Sequence, residues 1–240
     1  AGLFGMFYFL TFFVQQVLDY SALKAGVVFL VVPFVIAIGS GVVAQLLPKA
    51  GPKMLITLGS VLLTLALLWL ARVDPASTYM GELLPGMIVL GLGMSLIFVP
   101  LTTVAVSKVP DTDAGIASAL LNVGQQVGGS IGLSVLATVA ATSGRNAGAT
   151  KARELADQPQ VLQHLGQLNV ERAGGAKAPA AAWNDSTAVA ALHAVQAHSS
   201  AMGFLAAAIF GVVAVLAAAL LINIRKSDLP SDPMAAAVPA

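Results

Sequence analysis

Charged residues fall in clumps along this chain, and long uncharged runs separate them. Asp, Glu, Lys and Arg are absent from 1–18, 25–47, 54–71, 83–107, 114–144 and 199–224. Each run is close to the ~20 residues that a helix needs to cross a ~30 Å hydrocarbon layer. Transmembrane strands would need shorter, alternating segments, and the sequence offers none. The pattern predicts an all-α membrane protein, a six-transmembrane-helix bundle. Its spans fall near 1–18, 25–47, 54–71, 83–106, 114–142 and 199–224. The connectors are short except for 143–198, which is rich in Ala, Gly, Gln and charge. That segment is too polar to span and is expected to be a loop with a short amphipathic helix at 161–168. The tail at 225–240 has the composition of a disordered segment.

Lys and Arg in short loops set orientation. Lys49, Lys53, Lys108, Arg225 and Lys226 lie on one side, against Lys24 and Arg72 on the other. Both ends are therefore expected in the cytoplasm of a multi-pass cell-membrane protein, with a cytoplasmic tail at 225–240. The 143–198 loop is then extracellular, its five cations carried across because long loops translocate largely regardless of charge. The chain starts at Ala1 with no basic run before its first apolar stretch, so its start is expected to be a cut edge within a larger protein.

Composition narrows the chemistry. Only 10% of residues are charged, where a soluble domain averages about a quarter. No cysteine is present, which excludes disulfides and thiol chemistry. A net charge of +1 implies no nucleic-acid partner. No Ser–His pair, paired carboxylates or metal-ligand set occurs within the spans, so neither an enzyme nor a cofactor or metal site is expected. His164, His193 and His198 lie in or beside the long loop, where a solvated role is expected. Asp19 and Glu82 sit at span ends, where capping or membrane-edge roles are expected.

The stretch "LNVGQQVGGSIG" at 121–132 puts three amides and four glycines where a span would favour leucine and valine. On a helical wheel, Asn122, Gln125, Gln126, Ser118 and Ser130 share one face. Gly124, Gly128 and Gly132 form a flat ridge suited to helix packing. Ile116, Leu120, Val123, Val127 and Ile131 form a bulky face suited to lipid. An unpaired amide in hydrocarbon costs several kcal/mol, so the amide face must meet other helices or a water-filled cavity. The first span has the same logic: Tyr8, Thr11, Phe4, Gln15, Phe12 and Gln16 oppose Leu10, Val14 and Val17. Aromatic rings with amides suit a large, weakly polar or cationic ligand. Tyr8, Phe12, Gln15, Asn122 and Gln126 are the candidate lining of a solute pathway; interhelical packing is the competing use of both faces. Pro33 and Pro100 permit kinks, and Gly39, Gly41, Gly86, Gly91 and Gly93 permit close helix approach.

The stretches "FGMFYFLTFFVQQVLDYSALKAG", "ELLPGMIVLGLGMSLIFVPLTTVAV" and "DAGIASALLNVGQQVGGSIGLSVLATVA" resemble the C-terminal half of a major facilitator superfamily transporter, most like the fourteen-span drug:proton antiporter family of the multidrug efflux type. The resemblance covers the first five spans and, by position, the sixth. It implies one bundle of a two-bundle transporter that rocks about a central site. The implied partners are the missing N-terminal bundle of the same polypeptide, the lipid bilayer, a small amphipathic substrate and protons. The family's cytoplasmic loop motif is matched in "AQLLPKAGPK" at Lys49, Gly51 and Lys53. Its first glycine is Ala44 here and its acid is Pro48, so a charge latch at this loop lacks its acidic partner. None of the six spans holds an acid or a histidine, and the family places the proton-coupling acid and arginine in the N-terminal bundle. The other reading of the residues is a non-transporting scaffold or assembly subunit that uses its glycine ridge for helix contacts.

Overall fold

A computed structural model describes residues 2–106, 110 and 113–221. Lys108, Arg225, Lys226 and the 225–240 tail, all used in the orientation argument, lie outside the described residues. Among the described residues every regular element is helical: α1 (Gly2–Gln16), α2 (Ala22–Phe29), α3 (Val31–Ala50), α4 (Pro52–Leu70), α5 (Leu84–Val106), α6 (Ala114–Glu154), α7 (Pro159–Arg172), α8 (Ala180–Asn184) and α9 (Ser186–Leu221). Five helical stretches are long and apolar enough to cross a membrane: Ala22–Ala50, Pro52–Leu70, Tyr79–Val104, Gly115–Glu154 and Ser186–Leu220. The sixth crossing element, α1, has 15 residues.

The expected second span runs as two helices joined end to end. Pro33 has no N–H to offer the Phe29 carbonyl, and the ladder breaks just before it. There the Leu30 N–H bonds the Val27 carbonyl at 3.2 Å, one residue short of α-helical spacing. The helix also continues past Pro48 to Ala50. A single π turn, Tyr79–Leu83, opens the fourth span. Here Glu82 is the capping residue: its Oε2 accepts from the Thr78 N–H at 2.6 Å and from the Thr78 hydroxyl at 3.2 Å.

The chain crosses back and forth, so one end of the bundle gathers 17–21, 71–78 and 155–185, and the other gathers Gly51 and Asp113. α4 packs between α5 and α9, α3 lies against the outer side of α5, and α9 also contacts α1 and α6. The core between them is buried side chains of α1, α4, α5 and α9, among them Met6, Phe9, Leu10, Phe13, Leu67, Leu90 and Phe204. Phe9 meets Phe204 edge to face at 5.8 Å. α4 and α5 touch backbone to backbone. A Cβ added at Gly59 would lie 2.7 Å from the Gly93 carbonyl oxygen, and one at Gly93 would lie 2.9 Å from the Gly59 carbonyl oxygen. Gly39, Gly86 and Gly91 are likewise pressed against neighbouring helices, whereas Gly41 faces open space.

The largest departure from expectation is 143–198, which is a folded helical cap rather than a loop. α6 has 41 residues and α9 has 36, or roughly 60 and 54 Å at 1.5 Å per residue. Both far exceed a ~30 Å layer, so the end of α6 and the start of α9 project beyond it. α7 contains the helix expected at 161–168. Leu165, Leu168, Ala182, Ala188, Ala191 and Leu192 form a second small core beneath α7 and α8. Alanine, glutamine, glutamate and arginine are strong helix formers, and sparse leucines at helical spacing suffice to pin such segments together.

Candidate substrate-pathway face

α1 is built with two unlike sides. Met6, Leu10, Phe13, Val14 and Val17 are buried in the core. The opposite side, Phe7, Tyr8, Thr11, Phe12, Gln15 and Gln16, lines an open hollow of about 410 Å³. Tyr8, Phe12 and Gln15 therefore come together in one cavity. Asn122 and Gln126 are not in its lining; both lie exposed on α6.

α6 touches its own bundle through a narrow stripe. Between 115 and 131 only Gly129 is buried, and Ala117, Leu121 and Gln125 are half-buried. Farther along, Gly132, Leu136 and Ala140 continue the stripe. Ile116, Leu120, Val123, Val127 and Ile131 are all exposed. Gly124 and Gly128 face open space, with nothing within 4 Å of an added Cβ. Within this bundle the contact glycine is Gly129 instead, where an added Cβ would lie 2.6 Å from the Phe4 ring. From Ser130, expected on this face, two further hydroxyls, Ser134 and Thr138, extend the polar side. The Ser130 hydroxyl donates to the Gln126 carbonyl at 2.9 Å, Ser134 to the Ser130 carbonyl at 2.9 Å and Thr138 to the Ser134 carbonyl at 2.8 Å. The signal for Ser134 and Thr138 was the unbroken i, i+4 polar repeat from Asn122.

The contact between Phe4 and Gly129 fixes the vertical order. α1 and α6 both run toward the cap, so Gln126 and Asn122 lie on one side of that contact and Tyr8, Phe12 and Gln15 on the other. From Asn122 to Gln15 is then about 27 Å along the axis at 1.5 Å per residue, close to a membrane thickness. In axial order the five predicted residues run Asn122, Gln126, Tyr8, Phe12, Gln15 along two helices that touch.

The cap sits over the Gln15 end of this series. One Arg172 Nη donates to the Gln15 carbonyl at 3.3 Å and to the Gln16 side-chain oxygen at 2.8 Å; the other pairs with Asp19 at 2.6 Å. Asp19 adopts φ 52°, the left-handed turn that swings the chain from α1 into α2. His193, on the projecting part of α9, stands 3.5 Å from the second Asp19 oxygen. Burial pushes its pKa down, Asp19 pulls it back up, and Arg172 lowers it further. His164 pairs with Asp185 at 2.9 Å, while Asp185 also caps α9 through the Thr187 and Ala188 N–H groups at 3.1 Å. The solvated role expected of the histidines therefore holds for His198 alone, which is exposed; His164 and His193 are packed and partnered. Among the described residues no group of three metal-ligating side chains is present.

The sequence profile of the Major Facilitator Superfamily matches residues 1–133, more than half of the chain. The chain belongs to the Major Facilitator Superfamily. Its curated relatives in that superfamily include the puromycin resistance protein pur8 of Streptomyces alboniger, 42% identical over 58% of this chain and 28% of the relative. The tetracenomycin C resistance and export protein of Streptomyces glaucescens is 32% identical over 93% of this chain and 41% of the relative, so that match runs through the cap and α9. The multidrug resistance protein Stp of Mycobacterium tuberculosis is 33% identical over 58% of this chain and 26% of the relative. The matched part of the chain spans less than half the length of each of these relatives. At the family level this major facilitator chain is a multi-pass membrane protein of a transporter family, not an enzyme.

Proposed function

We propose that this chain is the C-terminal bundle of a proton-coupled secondary transporter that exports amphipathic organic compounds, drugs among them, by alternating access. The relatives' names, puromycin resistance and tetracenomycin export, support export of large organic molecules. The observation that carries the reading is the line from Asn122 through Gln126, Tyr8 and Phe12 to Gln15, left open along α1 and α6. Amides exposed to lipid would cost several kcal/mol; facing a watered cavity between two bundles they cost nothing and bind solute. Tyr8 and Phe12 offer ring faces to apolar or cationic parts of a substrate. Gln15, Asn122 and Gln126 offer hydrogen bonds. Gly124 and Gly128, bare within this bundle, suit close approach of the N-terminal bundle of the same polypeptide, whereas Gly132 is taken up by packing within this one. The six spans hold no acid or histidine, so proton coupling is assigned to that other bundle. Both ends of this chain are placed in the cytoplasm and the helical cap outside the cell.

The test is efflux of a fluorescent cationic dye, and of puromycin, from an efflux-deficient host expressing the full-length polypeptide. Tyr8→Ala, and Asn122→Leu with Gln126→Leu, are expected to reduce efflux at least tenfold at unchanged expression, and collapse of the proton gradient to abolish it. Unchanged efflux in both variants, with loss of a co-purifying partner, would instead establish a scaffold role for the glycine ridge.

A further inference from the structure

At the end of the bundle opposite the cap, α3 hands over to α4 through Gly51, which takes φ 80° to make the corner. Beside this corner a groove of about 600 Å³ runs between α4 and α9. Its walls are almost wholly apolar: Met54, Leu58 and Val61 on α4 face Ala219 on α9. The Thr57 hydroxyl in the wall is already bonded to the Lys53 carbonyl at 2.8 Å. From Lys53 to Val61 the groove follows α4 for about 12 Å at 1.5 Å per residue, so it leads from the membrane surface into the hydrocarbon. It lies on a different helix pair from the α1–α6 line.

Among the described residues, the only charge in the groove wall is Lys53. Lys49 sits one residue before Ala50, which lines the groove as well. Both ammonium groups are exposed, and neither has an ion-pair partner among the described residues. The first turn of α4 holds no acid, and no side chain caps it, so its dipole adds positive potential at the same place. An apolar slot that opens sideways into the bilayer, with two unpaired cations at its mouth, fits a molecule with one hydrocarbon chain and one anionic head.

We propose that this groove is a binding site for an anionic phospholipid, with an acyl chain along Met54, Leu58 and Val61 and the phosphate held by Lys49 and Lys53. A basic residue at an anionic membrane surface contributes about 1 kcal/mol, or roughly fivefold in affinity. The pair therefore discriminates anionic from zwitterionic lipid by up to about 25-fold. The site does not depend on what the α1–α6 line transports.

The test is native mass spectrometry of the full-length protein in mild detergent, offered phosphatidylglycerol and phosphatidylcholine of identical acyl chains. The wild type is expected to retain phosphatidylglycerol in strong preference. Lys49→Gln with Lys53→Gln is expected to bring the ratio near unity, and Val61→Trp, which fills the groove, to lower retention of both lipids. Lys24→Gln, at the cap end, is expected to leave the preference intact, and thermal unfolding identifies any variant that fails to fold. Equal retention of the two lipids by the wild type would overturn the proposal, as would an unaltered preference in the double lysine variant. Lipid uptake only after deletion of 222–240 would also overturn it, because the chain itself would then be the occupant.

Discussion

Gly59→Ala tests the packing logic of the bundle at its tightest seam. The new Cβ would meet the Gly93 carbonyl oxygen at 2.7 Å, the Leu96 Cβ at 2.8 Å and the Ile97 Cγ1 at 2.9 Å. Ordinary contact begins near 3.4 Å, so α4 and α5 must part by half an ångström or more. None of the three obstacles is the free end of a long side chain, and one is backbone. A radial gap of 0.5–1 Å forfeits roughly a quarter to a half of each dispersion well it touches, and overpacking of this kind costs about 1–3 kcal/mol. Alanine also favours the helix by about 1 kcal/mol over glycine, which would mask part of the loss. Gly41→Ala removes that ambiguity. Gly41 lies within α3 and has nothing within 4 Å of an added Cβ, so it receives the propensity gain without the clash. The difference between the two variants is expected to be about 1–3 kcal/mol, with Gly59→Ala the less stable. Reversible unfolding of the full-length protein by sodium dodecyl sulfate in mixed micelles measures it. Equal midpoints, or a more stable Gly59→Ala, would refute the backbone-to-backbone seam.

Three further outcomes follow from the same geometry. Phe9→Ala empties the contact with Phe204 and Gly203, and is expected to lower stability by about 3–5 kcal/mol in the same titration. Asp19→Asn keeps a residue that tolerates the left-handed turn but removes the charge opposite Arg172. Asp19 is about half exposed, so the expected loss is no more than about 1 kcal/mol, with faster proteolysis within 155–185 as the readout. His193 has a pKa lowered in the folded state, so its contribution to cap stability is complete above its unfolded value, about 6.5, and is lost as pH falls through the folded value. Protease cleavage of the cap should accordingly rise on acidification below about pH 6.5, and His193→Gln should flatten that profile.

The bundle was legible because charge and apolar length are read directly along a membrane chain. Five of the six uncharged runs became helices long enough to span, and Pro33 marked a real break in the ladder. The polar side of α6 was legible from the wheel, since Asn122, Gln126 and Ser130 lie exposed along it. What stayed hidden depended on which helix each face meets, and no local pattern encodes that. Gly59 is a lone glycine in a leucine-rich run, yet a Cβ added there would lie 2.7 Å from the Gly93 carbonyl oxygen of α5. Gly124, Gly128 and Gly132 read as the packing ridge of α6; within this bundle Gly132 packs, with Gln125, Gly129 and Leu136 beside it, while Gly124 and Gly128 stay bare. The cap was missed because its apolar residues are few and mostly alanine. Its hold on α1 is a contact between Arg172 and Asp19, 153 residues apart.

The central claim is that water reaches the amide side of α6 while its bulky side does not meet water. The chain has no cysteine, so each introduced thiol within it is reported alone. Asn122→Cys, Gln126→Cys, Leu120→Cys and Val127→Cys, each in the full-length protein in cell membranes, can be labelled with a charged, membrane-impermeant thiol reagent. The account predicts fast labelling at 122 and 126, slowed by a transported compound, and little at 120 and 127. Labelling at 120 and 127 that matches or exceeds labelling at 122 and 126 would contradict it.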